Sequence, residues 1–405
     1  MTGARHKPTR NGPGQLFDAT GLCGEGGAML NDTQRAMVQA IATHGPISRT
    51  DLAQTLELSK PAVTGLAKTL LQSGIILEAP LTRTGPRQGR PSIGLCANPR
   101  FGYFAGVSTA REKNDIALVD FAGRVLMRKP LSLPATPEGV ADRIAGALPG
   151  MSAELGAGAG QLLGIGVSVS GLVDPGNRIC RHSALLDWHD VPLADLVSAR
   201  AGVPAIIAND ANTAATGEKL FGSAREEDDF AVITVGDGIG CASFLGGKLY
   251  TGHNGGAGEI AHITVDPNGR PCRCGKRGCL DTVASRGAML TAAQEAGLTI
   301  TELGQIEQLA ARRDPQALEL IHNAASALGM VIMQIVHIHD PKSVIVVDTV
   351  GAMGHMARAI IRQTVATHVL PEMSRSFDLR FTVAPEGFWS ISAASMAAHQ
   401  FFAAA

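Results

Sequence analysis

Nowhere in its 405 residues does the chain run 18 or more apolar residues without interruption, the length at which a stretch reads as a membrane-spanning helix. No apolar segment follows the basic start MTGARHK, so the amino terminus does not read as a secretory signal. Net charge is close to zero, with 35 Lys and Arg against 36 Asp and Glu. The cysteines number seven, and four of them (Cys23, Cys96, Cys180, Cys241) lie scattered in unrelated contexts. An odd, scattered set excludes the disulfide framework of a small secreted domain. The expectation is a cytoplasmic protein with no membrane partner.

What is present is unevenly placed. Residues 1–100 carry 11 Lys and Arg against 6 Asp and Glu, leaving 24 against 30 for the remainder. A basic end on a neutral chain points toward a polyanion. The length suggests two or three domains, and 45% hydrophobic residues supply their cores. Residues 1–30 are rich in Gly, Thr and Asn and lack periodic hydrophobicity, which predicts a disordered tail.

From Asn31 the pattern turns helical. Met37, Val38 and Ile41 recur at three and four residues after the cap Asn31-Asp32, and the helix stops at His44-Gly45-Pro46. Ser48 caps a second helix whose buried stripe is Leu52, Ala53 and Leu56. A turn at Glu57-Leu58-Ser59 leads to a third, KPAVTGLAKTLLQSG, with Pro61 in its first turn and Gly74 as its stop. Three short helices with a tight turn between the second and third predict a helix-turn-helix. On the third helix Val63, Leu66, Ala67 and Leu70 share one face, while Ser59, Lys60, Thr64 and Lys68 share the other, small and basic enough to enter a major groove. The runs IILEA and SIGL then read as a two-stranded wing, its tip TRTGPRQGR carrying Arg83, Arg87 and Arg90. Arg90, between Gly89 and Pro91, is extended and suited to a narrow minor groove. The DNA-contacting set is thus Ser59, Lys60, Thr64, Lys68, Arg87 and Arg90, in a winged helix-turn-helix over 31–96. Such domains read paired half-sites, so a homodimer or tetramer on a palindromic operator is expected.

Beyond residue 100, short β-branched runs (IALVDF, LGIGVSVSG, PAIIAND, FAVITVGDGIG, SVIVVD) alternate with helical stretches, the mark of an α/β architecture. Glycines follow several of these runs, where open α/β folds bind ligands. The sequence GDGIG also reads as a plain hairpin turn.

The remaining cysteines, Cys272, Cys274 and Cys279, fall within the eight residues CRCGKRGC. Gly275 and Gly278 allow the tight turns that bring three sulfurs to one ion. Zinc is the default cofactor, with His262 of GEIAHITV as the fourth ligand. A loop of reduced thiols or a redox switch are the other readings of the cluster.

In order, GIGVSVSGLVDP, IIANDANTAATGE, VITVGDGIGCASFLGGKLYTGHNGGAGEIAHI and CRCGKRGCLDTVAS resemble the ROK family, which holds bacterial sugar kinases and sugar-responsive repressors on a common fold. The resemblance implies an actin-like, sugar-kinase-type (ribonuclease H-like) two-lobed domain over 100–405. It implies that the GE-x-x-H and cysteine segments build a sugar pocket and a zinc site together. Carried over by position, Asn209, Asp210, Glu259 and His262 hydrogen-bond sugar hydroxyls, His262 also ligating zinc through its other ring nitrogen. Asp281 joins them, one methylene shorter than the Glu usual in the family.

Two functions share that pocket. In a kinase, Asp210 is the general base and GDGIG cradles ATP phosphates. Family kinases open the domain with D-x-G-G-T, whereas YFAGVSTAREKNDIALVD has Ala105 near the acidic position and no Gly-Gly pair, and VVDTVGAM lacks a double glycine. The expectation is therefore a non-enzymatic transcriptional regulator, a repressor of sugar uptake or catabolism genes. A sugar or sugar phosphate would tune its operator binding. An ATP-dependent, zinc-containing hexose kinase is the alternative.

Overall fold

A computed structural model describes residues 30–81, 93–109 and 114–403. The expected tail, apart from residue 30, and the wing-tip residues Arg83, Arg87 and Arg90 lie outside the described residues. The chain divides into two compact units, one reaching Asn98 and including the end of the chain from His399, the other Pro99–Ala398.

Local sequence accounts for the first unit. Helix α1 (Asp32–His44) starts with a capping box in which Asn31 Oδ1 accepts from Gln34 N–H and Gln34 Oε1 from Asn31 N–H, both at 2.9 Å. Helix α2 (Arg49–Thr55) is capped by Ser48, and α3 (Lys60–Gln72) by Ser59. Glu57 takes φ 53° in the turn between them. Met37, Val38, Ile41, Leu52, Val63, Ala67 and Leu70 are buried together with Ile76 and Leu95. These last two come from β1 (Ile76–Pro80) and β2 (Ile93–Ala97), the antiparallel wing. Ile47 pairs with Leu95 in an isolated bridge of two backbone hydrogen bonds, 2.8 and 2.9 Å, beside this two-stranded sheet. Within this unit Arg35 Nη1 donates to Phe401 O at 3.0 Å, which ties the end of the chain to α1.

The second unit has two lobes. In the first, β3 (Gly102–Ser108), β4 (Asp115–Asp120) and β5 (Val125–Pro130) form an antiparallel meander. Helix α4 (Pro137–Leu155) leads to β6 (Gln161–Val169), parallel to β3. A small side sheet of β7 (Leu172–Val173), β8 (Cys180–Ser183) and β9 (Trp188–Val191) follows. Helix α5 (Leu193–Ala201), β10 (Ala205–Asn209) and α6 (Asp210–Leu220) complete the lobe, with sheet order β10-β6-β3-β4-β5.

The second lobe repeats that order. Strands β11 (Phe230–Val235), β12 (Ile239–Leu245) and β13 (Lys248–Tyr250) meander, so GDGIG is a hairpin turn. Helices α7 (Asp281–Ala284), α8 (Arg286–Glu295), α9 (Leu303–Ala311) and α10 (Pro315–His339) precede β14 (Ser343–Asp348). After α11 (His355–His368) and α12 (Pro371–Ser374) comes β15 (Asp378–Val383), giving β13-β12-β11-β14-β15. Each sheet thus runs third, second, first, fourth, fifth, the ribonuclease H-like arrangement. Every residue of β14 is buried, as a strand covered on both faces must be. Among the described residues, α10 alone is long and apolar enough to cross a membrane (mean hydropathy 1.4). Half of that stretch is buried, and Leu328, Val331, Ile332 and Val336 pack in the lobe's core.

Helix α13 (Phe388–Phe402) lies against the first sheet at Gly166, where a Cβ would stand 1.9 Å from Ala393 O. Gly166→Ala should therefore cost about 1–3 kcal/mol through overpacking, read as a lower urea midpoint at unchanged slope. Exposed Gly146, with nothing near its Cβ position, is the control.

Candidate functional site

Two clusters form where strands end. The parallel strands β6 and β10 finish side by side at Val169 and Asn209, and the chain turns directly into α6. Asn209 caps that helix, its Oδ1 accepting from Ala211 N–H while Nδ2 donates to Gly171 O, both at 2.9 Å. Its amide therefore holds scaffold at both ends. Asp210, the first residue of α6, accepts from Ser168 Oγ on one carboxylate oxygen and Ser170 Oγ on the other. Burial pushes the Asp210 carboxyl above the usual carboxylate range, and the two hydroxyls oppose the shift by stabilising the anion. The sequence reading missed both serines. The signal was there in VSVS, since residues two apart on a strand share a face.

The second cluster joins the two segments of the cysteine motif. Residues Val265 and Asp266 both donate backbone N–H to Gly278 O (2.8 and 3.1 Å), and Leu280 N–H donates to Ile263 O (2.9 Å). Gly278, at φ 63°, sits so close to Asp266 that a Cβ would fall 1.4 Å from its carbonyl oxygen. This lacing brings His262, Cys272, Cys274 and Cys279 together, each offering a donor atom, all within 4.8 Å of one another. The Cys274 and Cys279 sulfurs are 3.6 Å apart, and Cys272 Sγ is 3.6 Å from His262 Nδ1. A tetrahedral ion with Zn–S of about 2.3 Å separates its sulfurs by about 3.8 Å, so the donors fit one metal ion. His262 presents Nδ1 to the thiols.

Asp281 follows directly on Leu280. Arg273, between two of the cysteines, pairs with its Oδ2 at 3.6 Å, while Oδ1 is buried without a protein partner. Sequence reasoning had not assigned Arg273. Glu259 is exposed one turn before His262, its carbonyl accepting the His262 N–H at 3.2 Å. The expected pocket residues thus form one group at Asn209 and Asp210 and another around the metal ligands.

In the first unit, Ser59, Lys60, Thr64 and Lys68 are all exposed along α3, opposite buried Val63, Ala67 and Leu70. Ser59 uses an oxygen lone pair for its cap, and Thr64 donates to Lys60 O at 2.8 Å.

The ROK family model matches residues 104–388, and the MarR family model matches 30–80. A xylose repressor of Bacillus spizizenii is 28% identical over 347 residues, covering 85% of this chain and 89% of that one. A glucokinase of Thermotoga maritima is 31% identical, covering 57% and 78%. The crystal structure of a ROK family transcriptional regulator, a homologue of the Escherichia coli MLC protein, superposes with TM-score 0.77 at 25% identity, covering 92% of this chain and 96% of that one.

Protein purified without chelator should carry one bound metal ion per chain by elemental analysis. Cys279→Ser should lose it and unfold at lower temperature, because a structural ion contributes its binding free energy to folding. A metal-free wild type would show the four donors to be unligated.

Proposed function

The chain belongs to the ROK family, and from that premise we propose that it is a sugar-responsive DNA-binding regulator, a repressor of sugar uptake or catabolism genes, rather than a kinase. One observation carries this most strongly. A helix-turn-helix with the two strands of a wing, its exposed α3 face bearing Ser59, Lys60, Thr64 and Lys68, precedes the two lobes, and phosphoryl transfer has no use for it. A dimer would set two α3 helices in successive major grooves of a palindromic operator. Lys60 and Lys68 would meet phosphates, Ser59 and Thr64 the base edges, and Arg87 and Arg90 the flanking groove.

The effector is a sugar or sugar phosphate. Asp210 accepts from its hydroxyls with the lone pairs that Ser168 and Ser170 leave free, and Asn209 fixes the backbone beneath. Asp281 Oδ1, buried and unpartnered, calls for a hydroxyl donor of the same kind. Glu259 and His262 Nε2 complete the set. Zinc is the ion that suits His262, Cys272, Cys274 and Cys279, and when bound it crosslinks the loop and fixes the imidazole tautomer. A sugar preferring one arrangement of the protein by ~1–3 kcal/mol changes operator affinity roughly 5–150-fold.

The glucokinase similarity favours the kinase alternative, but the turn after β14 argues against it. Asp348 accepts from the backbone N–H groups of Val350, Gly351 and Met353 at 3.2, 2.8 and 2.7 Å, so a carboxylate already fills the amide cradle a phosphate would need. The cavity beside it, about 60 Å³, is lined mainly by apolar side chains together with Arg286, Glu307 and Asp348.

A thermal-shift screen of mono- and amino-sugars finds the effector, since a ligand of the folded state raises its melting temperature. With that sugar saturating, wild type should form no phosphosugar from ATP, and Asp210→Asn should weaken sugar binding by ~1–3 kcal/mol through a mispaired amide. Turnover in wild type that vanishes in the variant would establish the kinase instead. Wild-type sugar binding should also weaken on acidification through a range above that of an ordinary aspartate, because the acceptor must be ionised and its pKa is raised. Asp210→Asn should abolish that dependence. On operator DNA, Lys60→Ala should reduce the salt slope by about one, measured by anisotropy.

A further inference from the structure

The hairpin of β8 and β9 holds two histidines that neither cluster uses. His182 and His189 are directly opposed in the antiparallel register, and both are exposed. Their rings lie 4.7 Å apart between centroids, with His182 Nδ1 3.1 Å from His189 Nε2. On the same hairpin Arg181 pairs with Asp190 at 2.9 Å, so those two neighbours largely cancel one another's charge.

We infer that His182 and His189 form a second metal site, a two-imidazole chelate for a divalent transition ion such as Ni²⁺, Cu²⁺ or Zn²⁺. At metal–nitrogen distances of about 2.0–2.1 Å, donors 3.1 Å apart subtend roughly 100° at the ion. That angle falls between the cis angle of a square-planar ion and the tetrahedral one, within the preferences of imidazole-binding metals. Exposure of both rings leaves water to fill the remaining positions. The strand pairing preorganises the donors, so little freedom is lost on binding.

The position of the hairpin gives the site a consequence. Ser183, next to His182, donates from Oγ to Ser170 O at 2.6 Å, and Ser170 in turn donates to Asp210. The carbonyl of His182 packs on Gly171, where a Cβ would stand 2.5 Å away. An ion that locks β8 to β9 therefore stiffens the segment supporting the Asp210 carboxylate. The metal site itself does not depend on the chain being a regulator.

The test titrates full-length protein, as purified with its His262 and cysteine ligands occupied, with NiCl₂ by calorimetry and by thermal unfolding. His182→Gln, His189→Gln and the double variant are compared with wild type. Wild type should bind one Ni²⁺ at least tenfold more tightly than either single variant, and the double variant should be no weaker than the singles, because one ring cannot chelate. Ni²⁺ should raise the melting temperature of wild type alone. Equal Ni²⁺ binding in all four proteins, or small losses that add from one variant to the next, would overturn the site and leave the 3.1 Å contact as an imidazole hydrogen bond.

Discussion

The convergence of three thiols and one imidazole on a single point governs much of the second unit. Left to themselves these groups are ill matched. The backbone N–H of Lys276 lowers the Cys274 thiol, while burial pushes the Cys279 thiol up to about 12. A divalent cation would resolve the mismatch by stabilising every thiolate at once. What it would secure is larger than the loop. His262 follows Glu259 by one turn, Arg273 sits between two ligands, and Leu280 and Asp281 continue directly from Cys279. Glu259, Arg273 and Asp281 each lie within three residues of one of the four donors.

Strand order explains why equivalent strand ends in the two lobes face different tasks. Both sheets bring a first and a fourth strand side by side in parallel, β3 with β6 and β11 with β14, and parallel strands expose their carboxyl ends to ligands. At the end of β6, in the first lobe, stand hydroxyls and a carboxylate, Ser168, Ser170 and Asp210. The end of β14 in the second lobe is closed by Asp348 on its own turn. Two ends of equivalent topology have thus taken different chemistry, a carboxylate bonded by side-chain hydroxyls at one and a carboxylate bonded by backbone amides at the other. A duplicated fold places sites in pairs, and the side chains decide which of them remain sites.

Legibility of the sequence followed the range of the interactions. Helices α1 to α3 could be read because their caps, Asn31, Ser48 and Ser59, bond within three residues and their buried stripes repeat with the helical period. The runs that became β4, β6, β10, β11 and β14 were readable for a similar reason, since strands covered on both faces are apolar throughout. The clustering of His262 with Cys272, Cys274 and Cys279 was legible from cysteine spacing and one upstream histidine. What could not be read was anything closed across distance. Ser168 and Ser170 reach Asp210 over 42 and 40 residues, the full commitment of the Asn209 amide depends on Gly171 folding beneath it, and Arg273 meets Asp281 only once the loop is laced. No local pattern encodes such pairs, because the sheet brings them together.

The surroundings of the Asp210 carboxylate pull its proton affinity in two directions. A general base must release its lone pair toward a proton at the moment of attack, and its efficiency rests on a pKa near the working pH. Burial moves Asp210 in that direction. Two serine hydroxyls pull the other way, each donating to one oxygen, and each makes the anion a weaker proton acceptor while leaving it an acceptor of hydrogen bonds. A sugar hydroxyl can then donate to the remaining lone pairs and be held in a defined orientation without surrendering its proton. Orientation is all that a sensor requires, because only a difference in affinity between two states of the protein reaches the DNA. The serines thus stabilise the anion against the larger effect of burial, and Ser170, through Ser183, connects it to the hairpin on which the histidine pair stands.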